Sequence, residues 1–161
     1  MPRPDLVPPG SDATSSSVIQ VEGFRKTYGR TVAVRELSFA VRAGEILGLV
    51  GPNGAGKTTT MRTLAAIIPP TEGRLTVAGC HVSADALGVK RRLAYLPDDP
   101  QLFPDLTVEE HLAFTAAAYG VADAPRKAGE LLGEFELTAK RHARARDLSR
   151  GMRQKLAICC A

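Results

Sequence analysis

Along the first third of the chain, apolar and polar residues trade places in short runs. Val18-Ile19-Gln20-Val21-Glu22, Val32-Ala33-Val34 and Leu37-Ser38-Phe39-Ala40-Val41 are rich in β-branched residues and partly alternate. This predicts antiparallel strands between residues 18 and 43, with a turn near Gly29. The pattern then changes: Glu45-Ile46-Leu47-Gly48-Leu49-Val50 is apolar almost throughout and predicts a buried strand. A helix is predicted over residues 59–68, stopping ahead of Pro69-Pro70, and residues 71–79 return to strand. A short helix around residues 84–91 and a strand at 93–96 follow. Beyond a Pro-rich loop the spacing becomes helical. Thr107 with Glu110 three residues on forms a capping box that opens a helix from Val108 to Tyr119, and residues 124–136 carry Leu131, Leu132 and Phe135 on one side. No internal repeat is visible.

Composition narrows the class. With 161 residues, 44% of them hydrophobic, the chain can bury the core of one ordinary domain. No apolar run approaches the roughly eighteen residues of a membrane helix. Residues 1–17 are rich in Pro, Ser and Asp without an apolar h-region, which predicts a disordered leader and not a signal peptide. Cys80, Cys159 and Cys160 cannot form a paired framework and suit a reducing cytosol as small buried hydrophobes. The net charge of +4 comes largely from Lys140, Arg141, Arg144, Arg146, Arg150, Arg153 and Lys155 against the single acid Asp147. No aromatic residue is interleaved with them, so no nucleic-acid partner is expected, and the cluster reads as a solvated or phosphate-facing surface. His81, His111 and His142 read as structural or solvated.

The chemistry concentrates where the apolar run ends. Gly51-Pro52-Asn53-Gly54-Ala55-Gly56-Lys57-Thr58 is the phosphate-binding pattern G-x-x-x-x-G-K-[ST], between a predicted strand and a predicted helix. Glycines without a Cβ let the backbone curl and turn successive N–H groups toward one anion. Lys57 and the helix N-terminus add positive charge there, and the Thr58 hydroxyl is spaced to reach a Mg²⁺ ion bridging the β- and γ-phosphates. Residues Gly51 to Thr59 thus predict a site for ATP with Mg²⁺.

Near the other end, Leu148-Ser149-Arg150-Gly151-Met152-Arg153-Gln154-Lys155-Leu156-Ala157 resembles the signature motif of ABC-type ATPases, commonly LSGGQ ahead of a basic helix. A Ser and a Gly before a helix offer a hydroxyl, backbone N–H groups and a helix N-terminus to an anion. The resemblance extends over residues 18–161 and is similar to bacterial exporter-type subunits around Phe103-Pro104-Asp105-Leu106-Thr107-Val108-Glu109-Glu110-His111-Leu112. It implies that Tyr28 stacks on adenine and that Ser149 and Gly151 reach the γ-phosphate held by a partner subunit. Tyr95-Leu96-Pro97-Asp98 resembles the loop in which a Gln contacts Mg²⁺; Asp98 stands in its place as a second metal contact beside Thr58.

The fold implied is α/β: a P-loop NTPase core with an N-terminal antiparallel β subdomain and a helical subdomain near residues 100–147, the C-terminal part of the core sheet missing. The function implied is the ATP-binding subunit of a transporter, dimeric, docked on a separate integral membrane subunit and peripheral at the cytoplasmic face. The alternatives are a soluble nucleotide-dependent module acting on ribosome or DNA, and a fragment that does not hydrolyse. The resemblance also implies an Asp-Glu strand and a switch histidine beyond the signature helix. Neither is found in these residues, so slow hydrolysis is expected.

Overall fold

A computed structural model describes residues 17–161. Two compact units divide the chain, one ending at Ala94 and the other running Tyr95–Ala161. The expected leader lies outside the described residues except for Ser17, which begins the first strand.

In the first unit, β1 (Ser17–Tyr28) and β2 (Thr31–Arg42) form a long hairpin joined by the two-residue turn at Gly29-Arg30. β3 (Glu72–Val77) pairs with the other edge of β1, and the two-residue β4 (Cys80–His81) closes the order β2-β1-β3-β4, antiparallel throughout. The sequence shows this hairpin as broken runs because bulges reset its alternation. The ladder shifts register between Val21 and Phe24, so Val21, Phe24 and Lys26 are the buried members of β1. Gly23 sits at that shift with φ +56°, and a Cβ on Gly73 of β3 would lie 2.4 Å from its carbonyl oxygen. The close approach of β1 and β3 therefore needs glycine at Gly73.

The core of this unit joins Val21, Phe24, Val34, Leu75 and Val77 to Leu64 of α1 (Lys57–Leu64) and Val89 of α2 (Ala86–Lys90). α2 is capped by Asp85, whose carboxylate accepts from the Gly88 N–H at 2.8 Å. That bond, with a second from Cys80, holds the Asp85 carboxyl below its ordinary range.

The predicted buried strand at residues 45–50 does not form. The segment joins none of the strands, and Ile46 is 100% and Val50 93% exposed. A strand exists only where a neighbour supplies a hydrogen-bonding ladder, and none of β1 to β4 pairs with these residues. Residues 93–96 are likewise non-strand, with Leu96 exposed, for the same reason.

The second unit is helical. α3 (Val108–Tyr119) starts and stops where the sequence predicts. Thr107 accepts from the Glu110 N–H while the Glu110 carboxylate accepts from the Thr107 N–H, and Gly120 ends the helix in the left-handed conformation. α4 (Ala124–Glu134), 3-10 turns at Thr138–Lys140 and Ala145–Asp147, and α5 (Arg150–Cys159) complete it. Val108, Leu112, Leu132, Leu137, Leu148, Leu156 and Cys159 form its core. Buried His111 is a strut: its Nε2 accepts from the Phe103 N–H at 3.0 Å, so the ring proton sits on Nδ1 and is donated to the Thr107 carbonyl at 2.9 Å. It pins the Pro-rich loop to the start of α3. All three cysteines are free; burial pushes the Cys159 thiol up to about 11, which keeps it a protonated hydrophobe.

Candidate nucleotide-binding site

Residues Gly51 to Gly56 form an exposed loop leading into α1, with a turn closed by the Ala55 N–H on the Pro52 carbonyl at 3.2 Å. Gly51, Pro52, Asn53, Gly54 and Ala55 all face solvent. Gly56 caps the helix at φ +86°, where a Cβ would lie 2.6 Å from the Ala33 oxygen and 2.7 Å from Val34 Cγ2. Only glycine lets the start of α1 press onto β2. The Gly56 carbonyl accepts from the Thr60 N–H at 2.8 Å and the Thr60 hydroxyl at 2.9 Å, anchoring the first turn.

The cap offers no side-chain acceptor and the first turn holds no acidic residue. The leading N–H groups, at Lys57, Thr58 and Thr59, therefore form an open positive pole. The Lys57 ammonium folds back over the loop and donates to the Gly51 and Pro52 carbonyls at 2.6 and 2.8 Å. Thr58 is exposed, and Thr59 is half-buried with its carbonyl accepting from the Thr63 hydroxyl. A cation, unclaimed helix amides and an exposed hydroxyl around a glycine turn make a donor set that fits a polyphosphate with its hydrated metal. Among the described residues, no group of three or more His, Cys, Asp and Glu side chains forms a protein metal cage.

Tyr28 ends β1 opposite Thr31, two residues along β2 from Ala33. The register thus brings the hairpin tip within about 7 Å, along the strand, of the residue that Gly56 packs against. The Tyr28 ring is 49% exposed, and the Lys26 ammonium lies 5.0 Å from its centroid. Lys26 was not foreseen as part of the site. The signal was available: residues two apart on a strand share a face. The contact of Gly56 with Ala33 and Val34 left no trace in the sequence.

The other expected residues belong to the helical unit. Asp98 is an exposed loop residue; next to it, the Asp99 carbonyl and carboxylate accept from Gln101 Nε2 at 3.3 Å. Ser149 caps α5 by accepting from the Met152 N–H at 3.3 Å. Gly151 is exposed in the first turn, with open space where a Cβ would go. Much of the basic cluster is engaged with acids: Arg141 with Glu109, Arg146 with Asp105 and Lys155 with Glu136. Arg153 donates to the Leu148 carbonyl at 2.7 Å, while Arg150 stays exposed.

The Nod factor export ATP-binding protein I of Ralstonia nicotianae is 41% identical over 94% of this chain and 48% of its own length. The linearmycin resistance ATP-binding protein LnrL of Bacillus subtilis is 33% identical over 89% of this chain and 47% of its own length. The chain thus spans about half the length of these relatives. A solved ATP-binding subunit of an ABC transporter superposes with a TM-score of 0.80 at 33% identity, covering 90% of this chain and 61% of that one. Residues 34–161 match the family model described as ABC transporter, and the chain belongs to that family of ATP-binding proteins, with its α/β fold.

Proposed function

We propose that this chain is the nucleotide-binding part of an ABC transporter subunit, gripping Mg-ATP through Gly51 to Thr59 and stacking the adenine on Tyr28. The observation that carries this reading is the cation-lined loop at the open end of α1. Lys57 exchanges the Gly51 and Pro52 carbonyls for phosphate oxygens, and the Lys57, Thr58 and Thr59 amides point at the same phosphates. Thr58 would offer its hydroxyl to Mg²⁺, which when bound would supply charge neutralisation at the phosphates. Asp98 is proposed as a second metal contact. Ser149 and Gly151 serve the γ-phosphate of a partner copy in a dimer, the Ser149 hydroxyl leaving its cap on Met152 to do so. A separate integral membrane subunit, contacted from the cytoplasmic side, completes the transporter. Among the described residues no helix is long and apolar enough to cross a membrane.

Hydrolysis by these 161 residues alone is proposed to be slow, since Lys57, Thr58, Ser149 and Gly151 can contact phosphate or metal but none is a base for water. Titration of a fluorescent ATP analogue tests the binding reading. Lys57→Ala removes a charge-assisted phosphate contact and should weaken affinity by about 2 kcal/mol or more, roughly thirtyfold. Equal affinities would overturn the assignment. Phosphate release tests the second part: Lys57-dependent turnover at or above about 1 s⁻¹ would show that a carboxylate already present, Asp98 first, activates water.

A further inference from the structure

Lys26 is a charged side chain in a place that disfavours charge. It is 9% exposed in a strand whose other buried members are Val21 and Phe24. A buried ammonium is costly unless its protons are met, and lysine carries three. One goes to the Pro69 carbonyl at 2.6 Å, just beyond the exit of α1. The ammonium also faces the Tyr28 ring, 5.0 Å from its centroid, which is within cation–π range. The neighbouring bonds point the same way. Thr71 donates its N–H to the Arg25 carbonyl at 3.0 Å, and its hydroxyl accepts from the Thr27 N–H at 3.0 Å. The segment leaving α1 is therefore fastened to β1 at Arg25, Lys26 and Thr27, immediately before Tyr28.

α1 meets this hairpin at both ends. Its first residue follows Gly56, pressed on Ala33 and Val34 of β2, and its exit is bonded to β1 through Lys26. Tyr28 caps the hairpin between these attachments, half-exposed and with a buried cation at its ring.

We infer that Lys26 is a positioning residue for base recognition, holding the Tyr28 ring in a fixed orientation for stacking and linking that orientation to the helix that carries the phosphate loop. This rests on the proposed nucleotide site. An aromatic ring with a cation on one face keeps the other face for a base and is held against rotation, so less freedom is lost when the base stacks. Lys26 itself touches no part of the nucleotide; its effect passes through Tyr28.

The test separates base from phosphate. The 161-residue chain is titrated with Mg-ATP and with Mg-tripolyphosphate, which has no base, by calorimetry. Lys26→Met and Lys26→Gln should each weaken ATP binding about 3- to 30-fold, the span of a cation–π contact, and leave tripolyphosphate binding within about twofold. Gln removes the charge and keeps an N–H donor, one bond shorter in reach, for the Pro69 carbonyl, so it decides the matter even if Met does not fold. Lys26→Arg, which restores a cation over the ring, should recover ATP affinity. In a Tyr28→Leu background, which should itself lose about tenfold or more, Lys26→Gln should have no further effect on ATP. Equal loss for both ligands would reduce Lys26 to a purely structural role and overturn the inference, as would unchanged ATP affinity. Failure of the wild-type chain to bind either ligand would instead remove the nucleotide site, and this inference with it.

Discussion

The sheet unit and the helical unit hold themselves together by different kinds of instruction. In the helical unit two of the three α-helices carry their own start signals: Thr107 and Glu110 at the start of α3, with Gly120 at its end, and Ser149 at the start of α5. Ion pairs of Arg141 with Glu109 and Lys155 with Glu136 tie neighbouring segments across the surface. In the sheet unit the decisive contacts join residues far apart in sequence, such as Gly56 on Ala33, Gly73 on Gly23 and Lys26 on Pro69. The same unit leaves Ile46 and Val50 in solvent. A cap fixes where a helix begins whatever surrounds it, whereas an apolar run becomes a strand only where a partner strand pairs with it. The phosphate loop grows out of the unpaired run.

The largest effects are expected in the two cores. Phe24 and Leu156 are both fully buried, one in each unit. Phe24→Ala should remove about 3–5 kcal/mol and Leu156→Ala about 2–5 kcal/mol. If the units are independent, urea unfolding followed by probes specific to each should show one transition shifting per variant. Both probes shifting together in both variants would mean that the units unfold as one.

Gly56→Ala comes next. A non-glycine residue at φ +86° is strained by about 1–3 kcal/mol, and the new methyl meets the Ala33 oxygen. The sheet unit should lose that much stability and ATP affinity should fall with it, because the start of α1 must lift from β2. Gly151→Ala is the contrasting control in the helical unit: it has room and an ordinary helical φ, so its stability should hold or rise slightly. A Gly56→Ala chain that melts like wild type would mean that the loop yields more cheaply than its packing implies.

How much of this was legible beforehand follows the same division. The bounds of α3 were readable to the residue because a capping box and a terminal glycine are chemistry within the sequence itself. The loop from Gly51 to Thr58 was readable as a pattern, since its glycines answer a local backbone demand. Residues 45–50 were misread because apolar character states that a segment would be stable if covered, and says nothing about whether a neighbour is there to cover it. The hairpin was seen only in pieces because bulges at Gly23 interrupt the alternation. The sequence offered no means of pairing Gly56 with Ala33, since contacts of that kind follow from register alone.

Exposed apolar residues give a smaller, sharper effect. Ile46→Thr with Val50→Thr changes side chains that touch little, so folding stability should stay within about 0.5 kcal/mol. Self-association should fall, since exposed apolar side chains offer a surface to other chains. Sedimentation at rising concentration measures it. Unchanged association would place the sticky surface elsewhere, with exposed Phe103 and Phe114 next in line.

The smallest expected effect is electrostatic and falls on the helical unit. Arg141 beside Glu109 holds that carboxyl below its usual range, the Thr107 N–H does the same for Glu110, and Lys155 for Glu136. The sheet unit has only Asp85 shifted in this sense among the described residues. A carboxyl with a depressed pKa contributes stability that is fully present above its unfolded value, about 4.3 for Glu, and is lost as pH falls through the lower folded value. Acid should therefore weaken the helical unit more than the sheet unit. All four groups are solvent-accessible, so the difference should be modest and should shrink in high salt. Urea midpoints at about pH 6 and about pH 3 read it directly. Glu110→Gln should flatten the helical unit's dependence, because the amide still accepts from Thr107 but no longer titrates. If the two units respond to acid alike, with or without Glu110, these local charges contribute nothing measurable, and the difference between the units rests on caps and register alone.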